Sequence, residues 1–390
     1  MTHTNIVKFI KSLNDEPNTS SIDGVKTLFD RLGNPQKSIS VIKVFGESGK
    51  SSVISILSGA LSGAGYTVGT LTTPFIHSIE SSFRISDTPV SIDLFTKYAN
   101  TVINEVVLLS NEYGYEYSKC DVLLAISACI LYGENCNIGI VEVSRNSLAS
   151  SLFTVSPISV ITSTEDPKNA ILLCPLIERT AGEVISAIQS REVYKIIFDR
   201  CAEVGARLTI PLKNAFLFMR VSGKRLDFTY EGKVYTLKTG AYYQAQNFLC
   251  AIKAIEALRR AGFKIENSQV GATEINKGLP LRFEVISVLP TIIVDRADSH
   301  EKRKRLIESI GKLDGASNDL NIICETSSRE IYEEFSSLEQ KVTVTKIPLK
   351  DSRKALKEFY RGINEESFII ILGTSSYCEE ISKHTKELFI

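Results

Sequence analysis

The chain has 390 residues, of which 43% are hydrophobic and 23% are charged. A chain of this length predicts two domains, or three, whose cores need neither disulfides nor metals for stability. Its 45 basic and 45 acidic residues cancel, so the formal net charge is zero. This balance gives no electrostatic argument for a nucleic acid or an anionic membrane as a partner.

Neither the longest apolar stretch nor the N-terminus indicates a membrane span or an export signal. The stretch from Val122 to Gly133 is about half as long as a membrane-spanning helix. The first residues lack the basic start and apolar core of a signal peptide. The eight cysteines form no CxxC pair, and there are four histidines. We therefore expect a cytoplasmic protein with buried, reduced cysteines and no His-rich metal site.

The first part of the chain predicts a strand–helix–strand unit with a glycine-rich turn. Apolar residues have helical spacing between residues 5 and 33, and Gly33-Asn34-Pro35 ends that pattern. A β-branched strand at 40–45 leads through the turn into a helix at 53–64 and a second strand at 66–72. This order predicts a parallel sheet that binds a nucleotide-sized ligand at the carboxyl ends of its strands.

The remainder of the chain continues the α/β pattern, with no internal repeat. Helices are predicted at 122–132, 192–204, 247–261, 301–310, 328–339, 352–360 and 377–388, and strands at 137–143, 158–162, 291–295, 321–324, 342–347 and 368–373. Residues 215–237 alternate like strands, with a turn at 222–224. Glycine and proline interrupt the pattern near 276–280, so the predicted domains are 1–277 and a smaller Rossmann-like domain, 278–390.

The turn after the first strand predicts a phosphate-binding loop, Gly46-Glu47-Ser48-Gly49-Lys50-Ser51-Ser52. Backbone N–H groups of such a loop and of the following helix favour negative charge. Lys50 would reach a β- or γ-phosphate oxygen, and the hydroxyl of Ser51 or Ser52 would hold Mg²⁺. The match is partial because Gly46 lies one residue closer to Gly49 than is usual. The alternative is an ordinary tight turn in which Lys50 is solvated.

The loop and several scattered motifs resemble the folylpolyglutamate synthase/dihydrofolate synthase family, a branch of the Mur ligases. The family loop, Gly-Thr-Asn-Gly-Lys-Gly-Ser, has the same glycine spacing. The other matching motifs lie at 72–76, 83–85, 89–91, 140–143, 158–162, 244–247, 282–284 and 291–295, so the resemblance covers nearly the whole chain. It implies a phosphate-loop domain of the Mur-ligase type followed by a Rossmann-like domain.

The resemblance also implies an activity and a set of site residues. Such an enzyme uses ATP and Mg²⁺ to join an amino acid, such as glutamate, to a folate- or pterin-like carboxylate through an acyl phosphate. The implied magnesium ligands are Ser51, Thr73 and Glu142, and the implied nucleotide contacts beyond the loop are Asn247, Arg282 and Asp295. Lys50, Glu142 and Arg282 would be the catalytic residues, since they or their bound metal neutralise charge on the transferred phosphoryl group.

Departures from the family pattern cluster around its second metal and its acyl acceptor. Residues 144–151 replace a glycine-rich segment, and the metal-binding histidine is absent from the region of residues 164–166. The family lysine that becomes carbamylated aligns with Arg179, whose guanidinium stays protonated and cannot take that role. Residues 295–299 lack the glycine and histidine of the family's Asp-Gly-Ala-His-Asn. If the protein is active, the changes at 144–151 and 295–299 suggest a different acceptor. The combined loss of the glycine-rich segment, the histidine and the lysine motivates a non-catalytic alternative.

Two function hypotheses therefore remain open. The favoured one is an ATP-dependent ligase whose partners are a small carboxylate and an amino acid. The alternative is a degenerate, nucleotide-binding relative that acts as a partner or regulatory subunit and binds another protein. The shortened loop and the lack of a base-reading motif argue against a third possibility, a phosphate-loop kinase or GTPase.

Overall fold

The structure is a computed structural model that describes residues 1–14, 21–72, 78–143, 147–154, 156–178, 182–212, 216–222, 224–271, 280–313, 319–325 and 328–389. The helices are α1 (His3–Ser12), α2 (Ile22–Arg31), α3 (Lys50–Gly63), α4 (Ile92–Tyr113), α5 (Lys119–Gly133), α6 (Pro167–Glu178), α7 (Arg191–Glu203), α8 (Tyr243–Arg260), α9 (Asn267–Gly271), α10 (His300–Ile310), α11 (Ser328–Phe335), α12 (Ser352–Arg361) and α13 (Ser375–Phe389). Short 3-10 helices lie at Pro35–Ser38, Glu80–Ser82 and Ala149–Leu152.

The strands alternate with these helices along most of the chain. They are β1 (Val41–Phe45), β2 (Val68–Leu71), β3 (Phe83–Ile85), β4 (Thr88–Pro89), β5 (Ile138–Glu142), β6 (Ile158–Ile161), β7 (Glu183–Ser186), β8 (Arg207–Thr209), β9 (Phe216–Ser222), β10 (Arg225–Tyr230), β11 (Lys233–Leu237), β12 (Glu284–Val288), β13 (Thr291–Asp295), β14 (Asp319–Cys324), β15 (Lys341–Lys346) and β16 (Phe368–Leu372).

The chain forms two compact units. Unit 1 consists of Met1–Leu212 and Asn247–Thr273, and unit 2 of Lys213–Gln246 and Glu274–Ile390. Residues 213–246 thus group with unit 2, because Ala241 and Tyr243 pack into the core of that unit. The division predicted between residues 277 and 278 treats each domain as one continuous stretch, and it stays a prediction.

Unit 1 is built on an eight-stranded sheet in the order β4-β3-β2-β5-β1-β6-β7-β8. The six strands from β2 to β8 in this order are parallel, and β3 and β4 extend the sheet as antiparallel edge strands. Every residue of β1 and β5 is buried, as expected for central strands that are covered on both faces. Because the parallel strands share one direction, β1, β5 and β6 all end at the same edge.

Unit 2 contains two smaller sheets. Strands β9, β10 and β11 form an antiparallel sheet, and the order of the other is β12-β13-β16-β14-β15, in which only β12 is antiparallel to its neighbour. The sequence predicts one turn within 215–237, but this segment forms three strands and therefore has a second turn. Glu231 and Gly232 form a second two-residue turn, and both have positive φ angles, 49° and 73°. Such a turn matches the twist of the strands that it joins.

None of the helices within the described ranges has both the length and the apolar character needed to cross a bilayer. All eight cysteines are free thiols, four of them buried and four half-buried.

Candidate functional site

The loop between β1 and α3 has a backbone that requires two of its glycines. Gly46 and Gly49 have φ angles of +132° and +94°, a region that side chains disfavour. A Cβ atom at position 46 would lie 2.4 Å from the hydroxyl oxygen of Thr162 and 2.9 Å from its carbonyl oxygen. A Cβ atom at position 49 would lie 2.3 Å from Oδ1 of Asn247. Asn247 therefore lies directly against the loop, and its nucleotide contact stays a prediction.

The loop leads into an uncapped helix. Gly49 is the N-cap residue of α3, and no side chain accepts a hydrogen bond from the first turn there. The first backbone N–H groups of a helix have no partner within the helix, so they are available to an anion. Ser51 is half-buried and Ser52 is buried, which makes Ser51 the more accessible hydroxyl.

Lys50 and Glu142 meet beside this loop. Nζ of Lys50 donates hydrogen bonds to the carbonyl oxygens of Gly46 at 2.8 Å and Glu47 at 3.2 Å. It also lies 3.6 Å from Oε1 of Glu142, whose side chain is 5% exposed. The two residues come together because Glu142 ends β5, which pairs in parallel with β1 and places Glu142 opposite Val44.

The other side of the loop contacts the segment that follows β6. The N–H groups of Glu47 and Ser48 donate to the carbonyl oxygen of Ser163, at 3.0 and 3.2 Å. The carboxylate of Glu47 accepts hydrogen bonds from the N–H group of Glu165 at 2.6 Å and from the side-chain amide of Asn169. Sequence reasoning did not identify this role of Glu47. The available signal was an acidic residue where the family loop has threonine.

The chain that follows Glu142 and residues 144–146 is held by a buried carboxylate. Oδ1 of Asp121 accepts hydrogen bonds from the N–H group of Ala149 at 2.7 Å and the hydroxyl of Ser147 at 3.0 Å. Its Oδ2 accepts from the hydroxyl of Ser118 at 2.7 Å. This carboxylate therefore ties the segment after β5 to the first turn of α5.

In unit 2, the segment that contains Arg282 is hydrogen-bonded to Asp295, the last residue of β13. Oδ2 of Asp295 accepts from the hydroxyl of Tyr243 at 2.6 Å and from the N–H group of Phe283 at 2.9 Å. Leu281 and Phe283, on either side of Arg282, have φ angles of +57° and +52°. Asp295 is only 3% exposed. Burial raises its pKa, and the Arg282 guanidinium opposes that rise.

Sequence comparisons connect this chain with named enzymes. No family model matches it. It is 25% identical over 307 residues to the dihydrofolate synthase/folylpolyglutamate synthase of Bacillus subtilis, across 73% of this chain and 71% of that protein. It is 23% identical over 337 residues to the folylpolyglutamate synthase of Lacticaseibacillus casei, across 80% of this chain and 77% of that one.

Structure comparison agrees. The folylpolyglutamate synthetase from Lactobacillus casei matches with a TM-score of 0.83 at 19% identity, over 99% of both chains. The chain resembles folylpolyglutamate synthases and dihydrofolate synthases in sequence and in fold. The folylpolyglutamate synthase of Mycobacterium tuberculosis, in complex with ADP, matches with a TM-score of 0.82 at 16% identity over 98% of both chains. These matches confirm the predicted resemblance and the predicted α/β fold of that family.

The residues proposed for magnesium have the right chemistry. Hydroxyl and carboxylate oxygens are the protein ligands that Mg²⁺ prefers. Ser51, next to Lys50 in the chain, and Glu142, whose carboxylate lies 3.6 Å from Lys50 Nζ, supply both kinds in the same unit. Thr73, the third predicted ligand, lies outside the described residues, as do Arg145 and Arg179. Within the described ranges, no group of three or more His, Cys, Asp or Glu residues is placed to hold a metal ion. The donor set therefore fits an ion that keeps several waters and binds substrate phosphates.

Proposed function

We propose that this protein is an ATP-dependent ligase that forms an amide bond between a small carboxylate and an amino acid. The observation that carries the proposal is the arrangement of Gly46, Gly49, Lys50 and Glu142 at the carboxyl edge of a parallel sheet, next to the open N-terminus of α3. This is the arrangement by which such folds bind the phosphates of a nucleotide.

The matched enzymes support the choice of reaction and of substrates. They are named for the synthesis of dihydrofolate and of folylpolyglutamate. One matching structure, with a TM-score of 0.84 at 19% identity, is a folylpolyglutamate synthase complex with AMPPCP and folate. We accordingly propose ATP as the phosphoryl donor, glutamate as the amino acid and a folate- or pterin-like acid as the acceptor.

The proposed reaction has two steps, phosphoryl transfer to the acid and attack of the amine on the acyl phosphate. A carboxylate oxygen attacks the γ-phosphorus of ATP, the bond to the β-phosphate oxygen breaks, and ADP leaves. The amine then attacks the acyl carbon, loses a proton, and expels inorganic phosphate. Both steps are accelerated mainly by positioning and by positive charge around the phosphoryl group.

The chain's own residues supply parts of that environment. Lys50 would exchange its bonds to loop carbonyl oxygens for bonds to phosphate oxygens, and the N–H groups of α3 would bind further oxygens. Asn247 fixes Gly49 from the side. A magnesium ion held by Ser51 and Glu142 would neutralise phosphate charge. The roles of Arg282 toward the phosphates and of Asp295 toward the ribose stay predictions that rest on the family resemblance.

The experiment is an assay of Mg-ATP turnover with paired substrates. Purified protein is incubated with Mg-ATP, L-glutamate or another amino acid, and a folate- or pterin-type acid, while phosphate release and the amide product are followed by mass spectrometry. We expect amide formation that requires all three substrates. Lys50→Ala should lower kcat by about 10²- to 10³-fold, the usual cost of removing one group that stabilises the transition state.

Lys37→Ala is the matched control, because Lys37 is an exposed lysine of the same unit. Its activity should equal that of the wild type. Calorimetric binding of Mg-ATP without amide formation from any acid and amino acid pair would contradict the ligase proposal and favour a nucleotide-binding regulatory subunit.

A further inference from the structure

The phosphate loop carries an acidic residue where a negative charge is unfavourable. Glu47 lies between the two required glycines, three residues before Lys50. The negative charge of a carboxylate would repel nucleotide phosphates if this side chain turned toward them. In the structure, the carboxylate is instead hydrogen-bonded by the segment that follows β6.

Both oxygens of the carboxylate are bound by the segment after β6. Oε2 accepts from the backbone N–H group of Glu165 at 2.6 Å, and Oε1 accepts from the side-chain amide of Asn169. Asn169 lies in the first turn of α6, which begins at Pro167, and a helix N-terminus favours negative charge. The carboxylate is therefore stabilised by two donors and by the dipole of α6.

The backbone of the loop is attached to the same segment. The N–H groups of Glu47 and Ser48 donate to the carbonyl oxygen of Ser163, and Ser48 and Ser163 form an isolated antiparallel bridge. These two backbone hydrogen bonds and the two to the Glu47 carboxylate thus connect the loop to residues 163–169. A change at Asn169 would therefore be transmitted to the loop through Glu47.

We propose that Asn169 is a positioning residue, which holds the charge of Glu47 away from the phosphates of the bound nucleotide. This inference rests on the proposed nucleotide site. Asn169 would change nucleotide affinity through the side chain of Glu47, and the effect would be electrostatic. Without Asn169, the carboxylate would keep only one of its two donors and could rotate toward the phosphates.

The test is calorimetric titration of Mg-ATP into the wild type, Asn169→Ala, Glu47→Gln and the double variant. We expect Asn169→Ala to weaken binding about five- to tenfold at low salt, which corresponds to one unscreened charge several ångströms from the phosphates. The loss should shrink in about 0.5 M salt, where screening acts over roughly 4 Å. In the double variant the affinity should return toward that of Glu47→Gln, because the charge is gone.

Asn100→Ala is the matched control. Asn100 lies on α4, and its amide donates to the carbonyl oxygen of Met1 at 3.0 Å, so its removal should leave Mg-ATP affinity unchanged. Wild-type affinity in Asn169→Ala, or equal loss with no salt dependence in both Asn169→Ala and the double variant, would overturn the electrostatic role.

A second measurement separates this inference from the proposed function. If Mg-ATP bound neither the wild type nor Lys50→Ala, the proposed function would fail. The contact between Glu47 and Asn169 would then be tested by urea unfolding of the same four proteins. Less-than-additive losses of the free energy of unfolding would show that the two residues are coupled, and additive losses would overturn the role of this contact.

Discussion

Asp121 is the buried carboxylate that holds the segment after Glu142. The hydroxyls of Ser118 and Ser147 and the N–H group of Ala149 donate to it within unit 1, and the residue is fully buried. Burial raises its pKa above the ordinary value of 3.8, although the hydrogen bonds oppose that shift. The folded protein thus binds this proton more tightly than the unfolded chain does.

The stability of the protein should therefore depend on pH through Asp121. Between pH of about 4 and the raised pKa, the unfolded state has lost this proton while the folded state retains it, so the free energy of unfolding should fall as pH rises through that window. In Asp121→Asn this contribution disappears. Urea unfolding across pH 4–7 should show the wild type losing free energy of unfolding relative to Asp121→Asn within that window, and a constant difference above it.

Asp93→Asn, which alters an exposed carboxylate in the first turn of α4, is the control for a change of charge alone. A difference between the wild type and Asp121→Asn that does not vary with pH would contradict the role of burial.

Gly46 offers a second prediction at the scale of one residue. Gly46→Ala would place a Cβ atom 2.9 Å from the backbone carbonyl oxygen of Thr162 at a φ angle of +132°. We expect a loss of about 2–4 kcal/mol in the free energy of unfolding, since strain and close approach add. Gly65→Ala is the matched control, because Gly65 has a φ angle of +88° and no atom within 4 Å of the added Cβ. It should cost only about 1 kcal/mol. Equal losses in the two variants, measured by urea unfolding, would mean that Thr162 yields.

At the scale of elements, α5 packs on the sheet through a pair of glycines. Gly69 of β2 and Gly139 of β5 are opposite each other in the parallel register. A Cβ atom at these positions would lie 2.0 Å and 2.7 Å from the two methyl carbons of Leu131. Leu131 thus occupies space that two neighbouring side chains would otherwise fill.

This packing predicts a strong coupling between two substitutions. Gly69→Ala should destabilise the protein by about 1–3 kcal/mol through overpacking, and Leu131→Ala by about 2–5 kcal/mol through lost contacts and a cavity. In the double variant the new methyl group has room, so the combined loss should fall short of the sum by at least about 1 kcal/mol. A double-mutant cycle in urea measures this, and additive losses would contradict the packing.

The regular elements were largely predictable because their patterns are local. The β-branched runs of β1, β5, β13 and β16 and the amphipathic spacing of α7 and α10 indicate their structure without any partner. Helix α4 was not predicted, although its buried residues, such as Phe95, Ala99 and Val102, have helical spacing. The short strands β3, β4, β7 and β8 were also not predicted, since pairing with a neighbour rather than local sequence defines strands of two to four residues.

The candidate site likewise combines local features, which the sequence predicts, with contacts between distant residues, which it does not. The glycine-rich turn between β1 and α3 was predictable because its glycines, its lysine and the flanking elements are adjacent in the chain. The bond of Glu47 to Asn169 spans more than 100 residues, so it exists only once β1 and β6 are paired. The bond of Tyr243 to Asp295 likewise follows from how unit 2 folds. No local pattern predicts such contacts.

At the scale of the molecule, the chain does not divide into one stretch per unit. It passes from unit 1 to unit 2 at Leu212, returns at Asn247, and leaves again at Thr273. Helix α8 contains the second crossing, so its first four residues belong to unit 2 and the others to unit 1. The sequence patterns gave no sign of the crossings at Leu212 and Asn247.

This order has a consequence for synthesis. Gly49 and its neighbour Asn247 are separated by roughly 200 residues, which a ribosome adds in about 10–40 s at 5–20 residues per second. Throughout that interval the nascent chain contains the whole phosphate loop without the side chain that packs against Gly49. The second segment of unit 1, which begins at Asn247, is translated only after residues 213–246, which belong to the other unit. The loop between β1 and α3 is therefore made early and completed late.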